Sequence, residues 1–137
     1  NTEALFKYVK HIAIQDASEM ANKFWPGPLT MVLPAKNEIV DLLNPGANTI
    51  GIRIPGCLAS MNLLSKSGPL ATTSANLSGF PPSLSEEDAL NNFPGLPLLG
   101  PLPWEKPSCI ASTVICWESS GNWRFLRKGS LIPLNVQ

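Results

Sequence analysis

Proline is the residue that most restricts how this chain can fold, because its ring fixes φ and removes a backbone donor that a helix needs. The chain has 14 prolines among 137 residues, and they cluster. The segment "WPGP" at 25–28 ends the helix that the residues before it predict. The prolines of residues 94–107 exclude regular structure there beyond a brief strand at 98–99, although apolar residues indicate an ordered connection. The proline clusters therefore mark the boundaries between elements.

Length and charge restrict the class of protein. A chain of 137 residues is enough for one domain with one core. Ten basic and ten acidic residues cancel, whereas a protein that neutralises a phosphate backbone usually carries a basic excess. This balance argues against nucleic acid as the main partner and leaves small anionic ligands open.

Several sequence signals are missing. No apolar run approaches the length that crosses a bilayer, and the first 14 residues lack a signal-peptide pattern, so we expect no membrane partner and a cytoplasmic location. The absence of an initial Met suggests a fragment. Cys57, Cys109 and Cys116 lack CxxC spacing, which favours reduced thiols. Without an HExxH motif, a paired Cys/His set or a glycine-rich phosphate loop, the sequence predicts neither a metal site nor a P-loop or Rossmann domain.

Apolar spacing and capping residues predict five short helices. The second has a capping box of Asp16 and Glu19 and runs to Phe24. The last spans 85–93, with Ser85 as N-cap and three acids in its first turn. The other three helices are predicted at residues 2–10, 38–43 and 57–65.

Alternating or continuous apolar runs predict the strands. They span residues 29–33, 49–54, 70–73, 112–117 and 123–127, and the last two form a hairpin over "ESSGN". Residues 49–54 place three isoleucines on one face and Arg53 on the other. Because strands and helices interleave, the fold class is α/β with a mixed sheet.

The hydroxyl- and amide-rich segment "ATTSANLSG", residues 71–79, is a candidate site. Such donors, together with backbone N–H groups at a strand end, can surround an anion or the edge of a nucleobase. A polar surface turn, held by its own Ser and Asn bonds and by Gly79 at positive φ, explains the same residues equally well. The segment alone leaves both interpretations open.

Two arginines and a second polar strand end complete the candidate residues. Arg53 suits a carboxylate or a phosphate, or a structural ion pair with one of the acids. Arg127 lies beside Lys128 at the end of the last strand, where a solvated strand end is the alternative. Ser112-Thr113 begin the strand that follows the prolines. His11, the only histidine, is interpreted as a surface residue.

Five segments together resemble one known family, the YrdC-type threonylcarbamoyl-AMP synthases. They are "FWPGPLTMVLP" (24–34), "TIGIRIP" (49–55), "PLATTSANLSGFPPS" (69–83), "STV" (112–114) and "FLRKG" (125–129). The resemblance covers about residues 24–129 and implies a twisted mixed sheet with packed helices. It also implies synthesis of threonylcarbamoyl-AMP and pyrophosphate from L-threonine, bicarbonate and ATP, for the threonylcarbamoyl modification of adenosine 37 in tRNA.

The resemblance also implies roles for particular residues. Thr49, Ser74, Asn76 and Arg127 would contact ATP, whereas Arg53 and Ser112 would contact L-threonine. Mg²⁺ is expected with ATP, no tightly bound cofactor is expected, and no catalytic side chain is assigned. The proteins that use the adenylate in tRNA modification are the expected downstream partners.

The chain departs from the family pattern in one respect. It has neither the P-T-x-T-x-Y-G-L motif nor the K-x-R pair that precede the segments above. We therefore interpret residues 1–137 as a YrdC-like domain that lacks its N-terminal strand and K-x-R segment, and we expect this chain alone to be inactive. The alternative function is a non-catalytic module of the same fold that binds RNA or a nucleotide.

Overall fold

The computed structural model describes residues 1–106 and 108–137; of the proline-rich stretch interpreted above, Pro107 lies outside the described residues. The helices are α1 (Thr2–Phe6), α2 (Ile14–Phe24), α3 (Asn37–Leu43), α4 (Leu58–Ser67) and α5 (Glu86–Asn92), with a 3₁₀ turn at His11–Ala13. The strands are β1 (Leu29–Pro34), β2 (Thr49–Ile52), β3 (Thr113–Ser119) and β4 (Asn122–Arg127). None of the helices in these described ranges has the length and apolar character needed to cross a membrane.

The strands form a mixed sheet, as the sequence predicts. Its order in the described part of the chain is β2-β1-β3-β4. β1 pairs antiparallel with β2 and parallel with β3, and β3 pairs antiparallel with β4. The hairpin between β3 and β4 turns at Gly121, whose φ of 73° is a left-handed value that glycine adopts without steric cost. The α/β class is confirmed.

The chain divides into two compact units. The first contains Asn1–Cys57 and Ala111–Gln137, and therefore holds the whole four-stranded sheet and helices α1 to α3. The second contains Leu58–Ile110 with helices α4 and α5.

The core of the first unit lies on one face of the sheet. Leu29, Met31 and Leu33 of β1 are fully buried, and they alternate with half-buried residues that point to the other face. Ala17 and Ala21 of α2 lie in the same core cluster, and their small side chains let the helix approach the strands closely. Burying each large apolar side chain contributes about 1.5–3 kcal/mol, so this face holds the unit together.

The capping box predicted for α2 is wrong. The helix begins at Ile14, directly after the 3₁₀ turn, so Asp16 lies inside it and cannot cap its end. The Asp16 carboxylate instead accepts hydrogen bonds from the Trp117 indole at 2.7 Å and from the Gly121 backbone N–H at 2.8 Å. Asp16 therefore ties α2 to the β3–β4 hairpin.

The strand predicted at residues 70–73 is also wrong, as is the brief strand at 98–99. Residues 70–73 are irregular in the structure, and Leu70 keeps 48% of its surface exposed. An extended segment is stabilised by the strand it pairs with, and the described residues provide none here. Helix α1 is shorter than predicted because Val9 forms a β-bridge with Ala35. The N-cap at Ser85 is confirmed, since its hydroxyl accepts from the Asp88 N–H.

Candidate active site

Sheet topology in the first unit brings four polar residues to one edge. β1 and its parallel neighbour β3 begin at this edge, and the antiparallel strands β2 and β4 end there. Thr30 and Ser112 therefore lie beside Arg53 and Arg127, and we call this group of four residues the arginine edge. All four lie on the sheet face opposite the core.

Ser112 and Arg127 are joined directly. The Arg127 guanidinium donates from Nε to the Ser112 carbonyl oxygen at 3.0 Å and from Nη2 to the Ser112 hydroxyl at 3.1 Å. The same hydroxyl lies 3.3 Å from the Thr30 hydroxyl. Two of the three directions in which a hydroxyl can bond are thus used by protein groups. The third direction is available to a ligand.

Arg53 extends towards the same edge from the end of β2. Its Nε donates to the Gly27 carbonyl oxygen at 2.9 Å, which leaves the terminal nitrogens for another partner. The pKa of Arg53 is lowered from its usual value, first by partial burial of the guanidinium and then by the positive charge of Arg127. The two cations are therefore close enough to repel each other, and an anion between them would relieve that repulsion.

The structure does not support an ion pair as the role of Arg53. Within residues 1–106 and 108–137 the salt bridge found is between Arg124 and Glu118, both on the exposed surface. Arg53 and Arg127 thus have no carboxylate partner in the described part of the chain. Paired guanidiniums without a protein counter-charge are suited to a carboxylate or phosphate ligand.

Thr113 and Gly129 hold the arginine edge in place, a role that the sequence analysis does not predict for them. Thr113, the residue after Ser112, is fully buried on the core side, where its hydroxyl donates to the Leu131 carbonyl and accepts from the Gly129 N–H at 3.0 Å. Gly129 packs directly on the backbone of the strand start. A Cβ there would lie 2.6 Å from both the Ser112 carbonyl carbon and the Thr113 nitrogen.

Thr30 is the site residue that sequence reasoning missed. It stands in the "PLT" of the first strand, where the signal available was its position on the polar face of an alternating run. Nothing in the sequence places it beside Ser112, 82 residues away.

Thr49 lies on the same face but at the other end of β2. It pairs with Pro34 at the end of β1, whereas Arg53 follows Ile52 at the beginning of β1. The two residues are four steps apart along the strand, a distance of about 13 Å at roughly 3.3 Å per step. The structure therefore does not include Thr49 in the arginine edge.

Ser74 and Asn76 lie in the second unit, in a loop held by its own hydrogen bonds. The Asn76 side-chain nitrogen donates to the carbonyls of Leu77 and Phe80, both at 3.0 Å. Ser83 closes the loop on the Ala75 carbonyl through both its backbone N–H and its hydroxyl. The internal bonds expected of a polar turn are thus present, and the Asn76 side-chain oxygen remains as the acceptor that a ligand could use.

The histidine, the possible metal ligands and the surface concavities add no residue to the candidate site. His11 is exposed, as the sequence predicts. In the part of the chain that the structure describes, no three His, Cys, Asp or Glu side chains are grouped so that they could hold a metal ion. A surface concavity of about 390 Å³ in the first unit is lined by residues of α2, Trp123 and Leu134, and includes none of the candidate site residues.

The fold and the arginine edge define a class of protein: an α/β domain with two guanidiniums and a hydroxyl at one edge of its sheet, a set of groups that suits a small anion. The family model Sua5_yciO_yrdC, described as "Telomere recombination", matches residues 1–129. The chain belongs to the Sua5/YciO/YrdC family. The match begins upstream of the segments on which the resemblance rests and confirms it.

Relatives support the assignment over most of the chain. The threonylcarbamoyl-AMP synthase of Rattus norvegicus is 35% identical over 126 residues, which cover 88% of this chain and 45% of the rat protein. A double variant of Pyrococcus abyssi Sua5 matches with a TM-score of 0.81 and 31% identity, over 98% of this chain and 40% of that one. P. abyssi Sua5 in complex with L-threonine matches with a TM-score of 0.79 and 30% identity, over 96% and 38%.

The chain spans less than half the length of each of these relatives. The two solved structures confirm the YrdC-type fold predicted from the sequence.

Proposed function

We propose that this chain forms part of a threonylcarbamoyl-AMP synthase, a nucleotidyltransferase that uses L-threonine, bicarbonate and ATP. The observation that carries the proposal is the arginine edge, where the charge of Arg127 acts on Arg53 and neither has an acidic partner among the described residues. Two further findings support it: the rat relative bears this name, and a structural neighbour is a complex with L-threonine.

The proposed reaction joins two anions. Bicarbonate first carboxylates the amino group of L-threonine with loss of water. An oxygen of the new carbamate then attacks the α-phosphorus of ATP, a P–O bond forms, and the bond to the β-phosphate oxygen breaks to release pyrophosphate. Holding the reactants in line and neutralising their charge are the contributions expected of the protein, and no covalent nucleophile is needed.

The proposed residue roles divide between the substrates. Arg53 and the Ser112 hydroxyl bind the L-threonine carboxylate, and their location at one sheet edge supports this pairing. Arg127 binds ATP phosphates, while Thr49, Ser74 and Asn76 contact the nucleotide. The position of Thr49 about 13 Å along the strand from Arg53 is compatible with an extended substrate.

We propose that Mg²⁺ binds together with ATP. Mg²⁺ usually keeps several of its waters and binds mainly through substrate phosphates, so it needs no dedicated set of protein ligands. When bound, it would neutralise part of the triphosphate charge. Beyond the chemistry, we propose that the protein acts in the cytoplasm and supplies the adenylate to tRNA-modifying proteins.

The test is pyrophosphate release by the natural full-length protein, with ATP, L-threonine and bicarbonate each omitted in turn. We expect release to need all three, and mass spectrometry to detect threonylcarbamoyl-AMP. Arg53→Ala should raise the KM for L-threonine. Arg124→Ala is the matched control, because Arg124 lies in the sheet but pairs with Glu118 on the surface.

Pyrophosphate release that does not depend on L-threonine would refute the proposal. The alternative, a module that binds RNA or a nucleotide without turnover, predicts salt-sensitive RNA binding with no pyrophosphate release, because such binding depends on phosphate contacts.

A further inference from the structure

Thr30 occupies the centre of the arginine edge, although the motif that contains it, "FWPGPLTMVLP" (24–34), gives it no predicted role. It is the second residue of β1, which lies between β2 and β3. Arg53 directly follows β2 on one side, and Ser112 directly precedes β3 on the other. The last paired residues of β1 and β2 are Met31 and Ile52. One step further in that register, Thr30 faces Arg53.

The orientation of the Thr30 side chain follows from its contacts. Its methyl group faces β2, because a Cβ placed on Gly51 would lie 3.6 Å from Thr30 Cγ2. Its hydroxyl faces the other way and lies 3.3 Å from Ser112 Oγ. A β-branched side chain has a strongly preferred χ1, so packing of the methyl group fixes the direction of the hydroxyl.

The direction of the hydrogen bond between Thr30 and Ser112 decides what the Ser112 hydroxyl can offer a ligand. Its hydroxyl has one hydrogen and two acceptor positions, and Arg127 Nη2 uses one of those positions. If the Ser112 hydroxyl donated its hydrogen to Thr30, the position left for a ligand would be a lone pair of Ser112 Oγ, which can only accept a hydrogen bond. If Thr30 donates to Ser112, the Ser112 hydrogen is free for the ligand. A carboxylate only accepts hydrogen bonds, so its binding requires the second arrangement.

We propose that Thr30 is a positioning residue, which donates its hydroxyl hydrogen to Ser112 and thereby directs the Ser112 hydrogen to the carboxylate of L-threonine. The proposal rests on the proposed function, since it takes L-threonine as the ligand of Ser112. Thr30 acts through Ser112 and does not touch the reacting atoms. Its methyl group, packed over Gly51, is what makes threonine more effective than serine.

The experiment measures L-threonine affinity of the natural full-length protein by calorimetry, for Thr30→Val, Thr30→Ser and wild type. Thr30→Val keeps the shape and removes the donor, and we expect the Kd to rise roughly 2- to 12-fold, which is about 0.5–1.5 kcal/mol at about 1.4 kcal/mol per factor of ten. Thr30→Ser should restore most of the affinity. Thr2→Val, on α1 in the core-side layer, is the matched control.

A double-mutant cycle separates positioning from general packing. In a Ser112→Ala background the Thr30→Val change should have no further effect, because its route to the ligand is already removed. In kinetics, the KM for L-threonine should rise while the KM for ATP stays unchanged. If Thr30→Val does not fold, as judged by circular dichroism, Thr30→Ala takes its place in the same comparison.

Three outcomes would overturn the proposal. Thr30→Val could bind L-threonine with wild-type affinity, or Thr30→Ser could lose as much affinity as Thr30→Val. The third is that the affinity losses of Thr30→Val and Ser112→Ala add up in the double variant. A wild-type protein that does not bind L-threonine would overturn it as well. A protein that binds L-threonine but releases no pyrophosphate would refute the proposed function alone, and the binding cycle would still decide the role of Thr30.

Discussion

Replacing Gly129 by alanine is expected to destabilise the first unit and to disorder the arginine edge with it. The Cβ of an alanine would lie 2.6 Å from the Ser112 carbonyl carbon and from the Thr113 nitrogen, and closer still to the Ala111 carbonyl oxygen. All three are backbone atoms, so no side chain can rotate away to make room. Either the segment after β4 or the start of β3 must shift.

Two contributions set the loss of stability expected for Gly129→Ala. Forcing a methyl group into a packed site typically costs about 1–3 kcal/mol. Moving the segment also breaks the bond from the Gly129 N–H to the Thr113 hydroxyl, at about 1 kcal/mol. The sum is about 2–4 kcal/mol. At roughly 3–6 °C per kcal/mol for a chain of this size, the melting temperature should fall by about 6–24 °C.

The assay is thermal unfolding followed by circular dichroism, with a urea titration to confirm the free energy of unfolding. Gly56→Ala is the matched control, because an added Cβ there meets nothing nearer than 3.8 Å. It should melt within about 2 °C of wild type. If Gly129→Ala melted as high as Gly56→Ala, the steric argument would be wrong.

Three further changes test the site. Asn76→Ala removes the two loop bonds of its amide and should weaken ATP use by about 1–3 kcal/mol; unchanged ATP kinetics would remove Asn76 from the site. Arg53→Lys keeps the charge but loses the planar guanidinium, whose Nε bonds the Gly27 carbonyl and whose terminal nitrogens are proposed to bind the L-threonine carboxylate; the KM for L-threonine should rise about tenfold, and an unchanged KM would count against that role. Residues 1–137 alone, which carry neither the P-T-x-T-x-Y-G-L motif nor the K-x-R pair, should release no threonine-dependent pyrophosphate until a segment with both is supplied; robust release without it would contradict the prediction.

Local patterns were sufficient where neighbours in the chain decide the structure. The alternation in "TIGIRI" predicts a strand with its arginine on the face opposite the isoleucines, and Ile52 is buried while Arg53 is exposed. Ser85 caps its helix because the bond it makes is to the Asp88 N–H, three residues away. The β3–β4 hairpin likewise depends on a turn glycine between two apolar runs.

Patterns failed where a distant segment competes for the same groups. Asp16 and Glu19 have the spacing of a capping box, but the helix extends upstream and the Asp16 carboxylate bonds Trp117, 101 residues away. Residues 70–73 have strand-like composition, but the described sheet offers them no partner. Local propensity is a small free energy, and a long-range bond or a missing neighbour outweighs it.

The sequence by itself determined the α/β class, the family and the types of residue available for a charged ligand, because these depend on composition, spacing and long motifs. Only the tertiary structure decided which of those residues meet. The parallel pairing of β1 with β3 brings Thr30 to Ser112 across 82 positions, and antiparallel β2 and β4 bring Arg53 and Arg127 to the same edge. The same register leaves Thr49 at the far end of its strand, because strand direction sets the edge at which each residue lies.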